Sequence, residues 1–187
     1  MSYLTAFIEV PRQGSTSKDI TYFDDWRASI EYRILTMAGE EDKLQEISKA
    51  EDIQEPCRLL ALIYTNMVFR ELQPGAVIHT TLTSRLRAAL MQTNLIYCWG
   101  NLSETLLWVL FIGGTVAAQE PIRSWFVSVL TTVCCQLKIR SWHDIKKSLV
   151  KYLWSDRIWE DRCKNLWFEV EDIQDAVASR TQPILLS

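Results

Sequence analysis

Between Thr105 and Ala118 the chain reads TLLWVLFIGGTVAA, fourteen residues without a charge. That run falls short of the roughly 20 apolar residues a membrane-crossing helix needs. It is better read as a central helix buried inside a folded domain, with everything else arranged around it. Gly113-Gly114, in the second half of the run, reads as close helix packing rather than as a cradle for a ligand.

The segments around it carry helical periodicity. From Tyr22 to Met37 the apolar residues Phe23, Trp26, Ile30, Ile34 and Met37 recur at three- and four-residue steps, with Arg27, Glu31 and Arg33 outside the stripe. Gly39 stops that helix, and a short acidic helix is expected from Glu40 to Ala50. The next is expected to open at Pro56, which suits a first turn because its missing N–H is not needed there. It runs to Leu72, apolar around nearly its whole circumference, and Pro74-Gly75 ends it. An amphipathic helix follows from about Ile78 to Tyr97, with Leu82, Leu86, Leu90 and Met91 facing inward.

Asn101 and Glu104 have the spacing of a capping box ahead of a Leu106–Ala118 helix. Pro121 opens another helix that ends near Lys138; its β-branched stretch from Val127 to Val133 is the one place where a strand could intrude. Ser141 and Asp144 repeat the capping-box spacing and start a helix to Leu153, with Trp142, Ile145, Leu149 and Leu153 as its apolar stripe. Ser155 is expected to cap a last helix through Trp159, Cys163 and Trp167. The expectation is an all-α single globular domain of about seven or eight packed helices over residues 21–175. A loose arm (1–20) precedes it and a frayed tail (176–187) follows. A chain of 187 residues is the right size for one domain and buries about 70% of its unfolded surface without metal or disulfide.

Charge and cysteine usage narrow the function classes. The net charge of −3 argues against a free-standing nucleic-acid binder. Residues 1–55 hold twelve acidic and six basic side chains, and the remainder eleven acidic and fourteen basic, which reads as a solvated acidic N-terminal face. Cys57, Cys98, Cys134, Cys135 and Cys163 are odd in number and form no CxxC, a pattern that suits reduced thiols in the cytosol or nucleus. Vicinal Cys134-Cys135 reads as core filler in preference to a redox site.

No catalytic or metal motif is legible. The two histidines, His79 and His143, lack the close paired spacing of metal ligands. There is no G-x-S-x-G and no glycine-rich phosphate loop. The paired carboxylates, such as Asp24-Asp25 and Glu160-Asp161, lie near helix ends with no apolar pocket to raise a pKa. The basic set Lys138, Arg140, Lys146, Lys147 and Lys151 reads as a solvated helix face. Eight tryptophans are many for this length, and each brings about 150–250 Å² of burial. Trp108, Trp125, Phe126 and Trp142, near helix starts and junctions, are the candidate ligand or partner contacts, against the plainer reading that they fill the core. Trp99 and Trp154 stand beside turns, as exposed anchors or as end-of-helix packing.

Several segments carry a resemblance. PCRLLALIYTNMVFRELQPGAVIHTTLTSRLRAAL (56–90), LLWVLFIGGTVA (106–117), IRSWFVSVL (122–130) and SWHDIKKSLVKYLWSD (141–156) resemble the C-terminal regulatory region of fungal zinc-cluster transcription factors. Leu166-Trp167 with Glu169-Val170 is similar to the LWxEV that closes that region. The resemblance spans roughly residues 54–170. It implies a non-catalytic, all-helical regulatory domain acting in the nucleus through proteins of the transcription machinery, self-association or a small apolar effector, with no cofactor. In that family a cysteine-rich module binding two zinc ions reads DNA. Its C-x2-C-x6-C start is not in this sequence, so no zinc ligand carries over and no direct nucleic-acid or membrane contact is expected. The rivals are a small helical enzyme or carrier built on His143, Asp144, Glu104 and Arg123, and a cytosolic adaptor.

Overall fold

The computed structural model describes residues 28–30, 32–34, 50–93, 95 and 99–181. Every regular element in these residues is helical: α1 Ala50–Phe69, α2 Val77–Gln92, a 3-10 turn Gly100–Leu102, α3 Ser103–Val116, α4 Ile122–Gln136, α5 Trp142–Leu149 and α6 Asp156–Thr181. Residues 28–30 and 32–34 are also helical, and Ile30 and Ile34 are half-buried while their neighbours are exposed, as the stripe requires. The remainder of that stripe and the expected acidic helix before Ala50 lie outside the described residues, as do the whole of the arm (1–20) and the last six residues.

The uncharged run forms α3, and α3 contacts each of the other five α-helices. Leu106, Leu107 and every residue from Val109 to Val116 are buried. A helix that is apolar on all sides can satisfy itself only at the centre of a layered packing. The two glycines allow that packing to close. A Cβ on Gly113 would stand 2.7 Å from Leu86 Cδ2 and 3.1 Å from Phe126 Cε1, and one on Gly114 would stand 3.0 Å from Leu166 Cδ2 and 3.1 Å from Phe126 Cβ. Helices α2, α4 and α6 therefore approach α3 closer than any side chain there would permit.

Several boundaries move. α1 begins six residues before Pro56 and carries the proline inside it. An interior proline forfeits one backbone hydrogen bond, at about 3 kcal/mol. The helix tolerates this because the following residues Leu59, Leu60 and Ile63 are completely buried, each worth about 1.5–3 kcal/mol. The Glu55 carboxylate also grips the Arg58 guanidinium through two bonds of 2.6 Å across the same turn. α1 stops at Phe69, short of Leu72. Glu71 takes a positive φ of 51° and the Leu72 N–H folds back to Asn66 O at 3.2 Å.

α2 ends at Gln92, short of Tyr97. Thr93 is extended, its hydroxyl donates to Leu90 O at 2.8 Å, and the Trp99 indole N–H donates to that hydroxyl at 3.1 Å. A threonine side chain that substitutes for a backbone donor in this way competes with continuation of the helix. Met91 is 60% exposed, so it does not face inward.

The Asn101–Glu104 capping box does not form: α3 has no side-chain cap, and Glu104 pairs with Lys151 instead. At Ser141 the expected cap is present, since its hydroxyl accepts from the Asp144 N–H at 3.3 Å and donates to the Asp144 carboxylate at 2.7 Å. α5 ends at Leu149 rather than Leu153. Ser155 precedes α6, but its hydroxyl is buried without a partner, so it caps nothing. α6 runs on to Thr181, past Ala176. The β-branched stretch from Val127 to Val133 is wholly helical within α4.

Candidate functional site

Three aromatic side chains meet where α1, α3 and α6 converge. Tyr64 sits on α1 among completely buried leucines, and Trp108, on the second turn of α3, is half-buried between buried Leu107 and Val109. Trp159 lies on the first turn of α6, its backbone N–H held by Ser155 O at 2.9 Å. Tyr64 stacks on Trp159 with centroids 5.5 Å apart and tilts against Trp108 at 6.1 Å. On the outer side Trp108 stacks on Tyr152 at 5.5 Å and 19°. Tyr152 belongs to the loop between α5 and α6, and its hydroxyl shares a 2.9 Å hydrogen bond with Thr105.

A polar belt holds this junction from the outside. Lys151 pairs with Glu104 at 2.5 Å, and Lys146 pairs with both Asp156 (3.1 Å) and Glu160 (2.7 Å). The Trp142 indole N–H donates to Glu160 at 3.3 Å, and the Trp154 indole N–H donates to Asp156 at 2.7 Å. These donors hold the Asp156 carboxyl below its ordinary value, the Trp154 N–H contributing most and Lys146 next. The Glu160 carboxylate in turn raises Lys146. Two of the five basic residues read as a solvated face, Lys146 and Lys151, thus bridge elements of the fold.

The four candidate aromatics fall into separate places. Trp108 is in the junction. Trp142 borders it through Glu160. Trp125 and Phe126 lie on α4, edge to face at 5.0 Å and 82°. Phe126 is completely buried over the two glycines, while Trp125 is half-buried under the Arg87 guanidinium at 5.8 Å. No ring contact among the described residues joins Trp108 to Trp125 or Trp142. Tyr64, Tyr152 and Trp159 are the members of the junction that sequence patterning leaves unmarked. A tyrosine directly after the apolar run Leu59–Ile63 is the signal that could have singled out Tyr64.

The rival polar set does not assemble. Glu104 pairs with Lys151, and Arg123 makes two bonds to Glu169 and one to Gly114 O. His143 and Asp144 are exposed on the first turn of α5. No hydrogen bond or ion pair among the described residues joins any of these four to another. His79 is completely buried at the start of α2, with Nδ1 at 3.0 Å from Gln73 O, an arrangement that makes Nδ1 the protonated nitrogen. Burial lowers its pKa. Among the described residues no cluster of His, Cys, Asp and Glu could hold a metal ion.

The thiols behave as packing groups. Cys134 and Cys163 are buried, and burial pushes both up to about 12. Cys135 is exposed, so the vicinal pair faces two different environments. Trp99 and Trp154 are 1% and 6% exposed and pack at helix ends. An open groove of about 310 Å³ runs between α4 and α6, lined by Ser124, Val127, Glu169, Asp172 and Ile173. None of the four candidate aromatics lines it.

Fold and contacts together define an all-α single domain organised on a buried central helix, with aromatic side chains gathered where helices meet. The chain belongs to the fungal specific transcription factor domain family, which it matches over residues 13–178. That match extends beyond both ends of the 54–170 resemblance. With membership comes a regulatory role in transcription, in a family that is generally non-enzymatic. No curated protein and no solved structure matches the chain. Among the described residues no helix is long and apolar enough to cross a membrane.

Proposed function

We propose that this domain regulates transcription without catalysing a reaction. It acts in the nucleus by holding a surface for proteins of the transcription machinery or for a second copy of itself, and a small apolar effector gates that surface. The family match over residues 13–178 carries this reading, because it takes in the whole helical body rather than one motif. The physical support is the junction of α1, α3 and α6. Half-buried Trp108 and Tyr152 there connect the loop after α5 to the central helix, so a ligand at the junction would move the outer elements. The raised thiols and the scattered polar set support a binding role over a catalytic one.

The test is to fuse the full chain to an unrelated DNA-binding module and measure a reporter carrying that module's site in a fungal cell. A several-fold rise or fall in reporter output is expected, with the tagged chain concentrated in the nucleus. A folded, nuclear fusion that leaves the reporter unchanged sinks the proposal, and a chain that stays in the cytosol favours the adaptor reading.

A further inference from the structure

Charge is sorted into two separate stretches of the chain. From Leu137 to Lys151 stand five cations and one carboxylate, while from Asn165 to Ser179 stand four carboxylates and no cation. Lys146 and Lys151 of the first stretch are held in ion pairs, but Lys138, Arg140 and Lys147 are exposed and meet no carboxylate among the described residues. On α6, Glu169 is taken by Arg123, whereas the carboxylates of Glu171, Asp172 and Asp175 meet no cation among the described residues. Open patches of one sign draw in a surface of the other sign.

Each stretch also exposes apolar surface beside its open charge. Val150, just past the end of α5 and one turn on from Lys147, is 46% exposed. Ile173, next to Asp172, is 40% exposed at the rim of the groove between α4 and α6, and Val127 lines the same groove. The α4 wall adds no counter-charge, since no charged residue stands between Ser124 and Leu137. Within one copy the two faces are held apart. Lys146 anchors α5 at Glu160, and α6 rises about 18 Å from there to Asp172.

We propose that copies of this chain associate head to tail. The α5 face of one copy, around Lys147 and Val150, seats in the α4–α6 groove of the next, where Asp172 takes the lysine and Val127 with Ile173 takes the valine. Pairing either face with itself would set like charges together, so the contact is heterologous. Each pair then keeps one face of each kind open for a further copy. Of the partners named above this selects the second copy, and it rests on that reading.

The full chain, purified, is followed by sedimentation velocity over a concentration series. Wild type is expected to grow from one chain to two and then to larger species. It returns to one chain as salt approaches about 1 M, where charges are screened within about 3 Å. Lys147→Glu and Asp172→Lys, both at exposed positions, are each expected to lose the association with an unchanged helical circular dichroism signal. The double variant, which restores opposite charge across the contact, is expected to regain it. Wild type that stays a single chain, association that ignores either substitution, or a double variant no better than the single ones would overturn the proposal. Because sedimentation reads association and the reporter reads transcription, either can fail while the other stands.

Discussion

Leu86 Cδ2 stands 2.7 Å from where a Cβ on Gly113 would begin, so α2 and α3 touch at a point where only glycine fits. Leu86 is completely buried, and the Phe126 ring closes the other flank at 3.1 Å.

Replacing Gly113 by Ala adds about 1 kcal/mol of helix propensity and costs about 1–3 kcal/mol of overpacking. Packing wins, and Gly113→Ala is expected to lose about 1 kcal/mol in urea unfolding. A larger loss is expected for Gly113→Val, which adds two more methyl carbons. Equal stability of wild type and Gly113→Ala would show that α2 can draw back.

Lys138 closes α4 with a positive φ of 57°, while its N–H reaches Cys135 O at 3.2 Å and the Ile139 N–H reaches Cys134 O at 2.9 Å. This six-to-one, five-to-two pair of bonds is a helix stop that prefers glycine at the left-handed position. Lys138→Gly is expected to raise stability by about 1 kcal/mol, read as a higher urea midpoint at unchanged slope.

Arg123 joins the end of α3 to α6 by donating to Gly114 O and gripping the Glu169 carboxylate at 2.6 and 3.2 Å. Arg123 is 18% exposed at its side chain and Glu169 46%. Arg123→Met orphans a helix-end carbonyl and is expected to cost about 1–2 kcal/mol. Glu169→Gln, which breaks only the half-exposed ion pair, is expected to cost less than about 1 kcal/mol. The reverse order would place the stabilisation in the ion pair and not in the carbonyl.

Cys134 and Cys163, with thiols pushed up to about 12, are expected to resist iodoacetamide at pH near 8 in the native chain, while exposed Cys135 is alkylated. Peptide mass spectrometry before and after denaturation checks this. Native labelling of Cys163 at the rate of Cys135 would contradict its burial.

The Lys146–Asp156–Glu160 link predicts a stability profile with two edges. The Asp156 carboxyl lies below its usual 3.8 in the fold, so its contribution is present above that value and is lost as pH falls through the lower folded value. Lys146 lies above its usual 10.5, so its contribution is present below that value and is lost as pH rises through the higher folded value. Lys146→Met should remove the alkaline edge and only shrink the acid one, most of which the Trp154 N–H sustains, in thermal unfolding across pH. Unchanged edges would assign them to other groups.

The sequence by itself determined the all-α class, the central place of the 105–118 run and the close packing at Gly113-Gly114. The cap at Ser141 and the inward stripe of Leu82, Leu86 and Leu90 were legible as well. All of these follow from local period, local caps and lack of charge, which neighbouring residues set among themselves. Only the tertiary structure decided where α1 begins and where α2 ends, because Pro56 is carried by the burial of the leucines that follow it and Thr93 takes a bond from Trp99. It likewise sent Glu104 to Lys151 instead of to a cap, and split the four candidate aromatics, with Trp108 in the junction, Trp142 at its border, and Trp125 and buried Phe126 on α4. Tyr64, Trp108 and Trp159 come from three helices, and no periodicity within one segment can show that their rings touch. That contact depends on how α1 and α6 cross α3, which the packing of all the helices sets together.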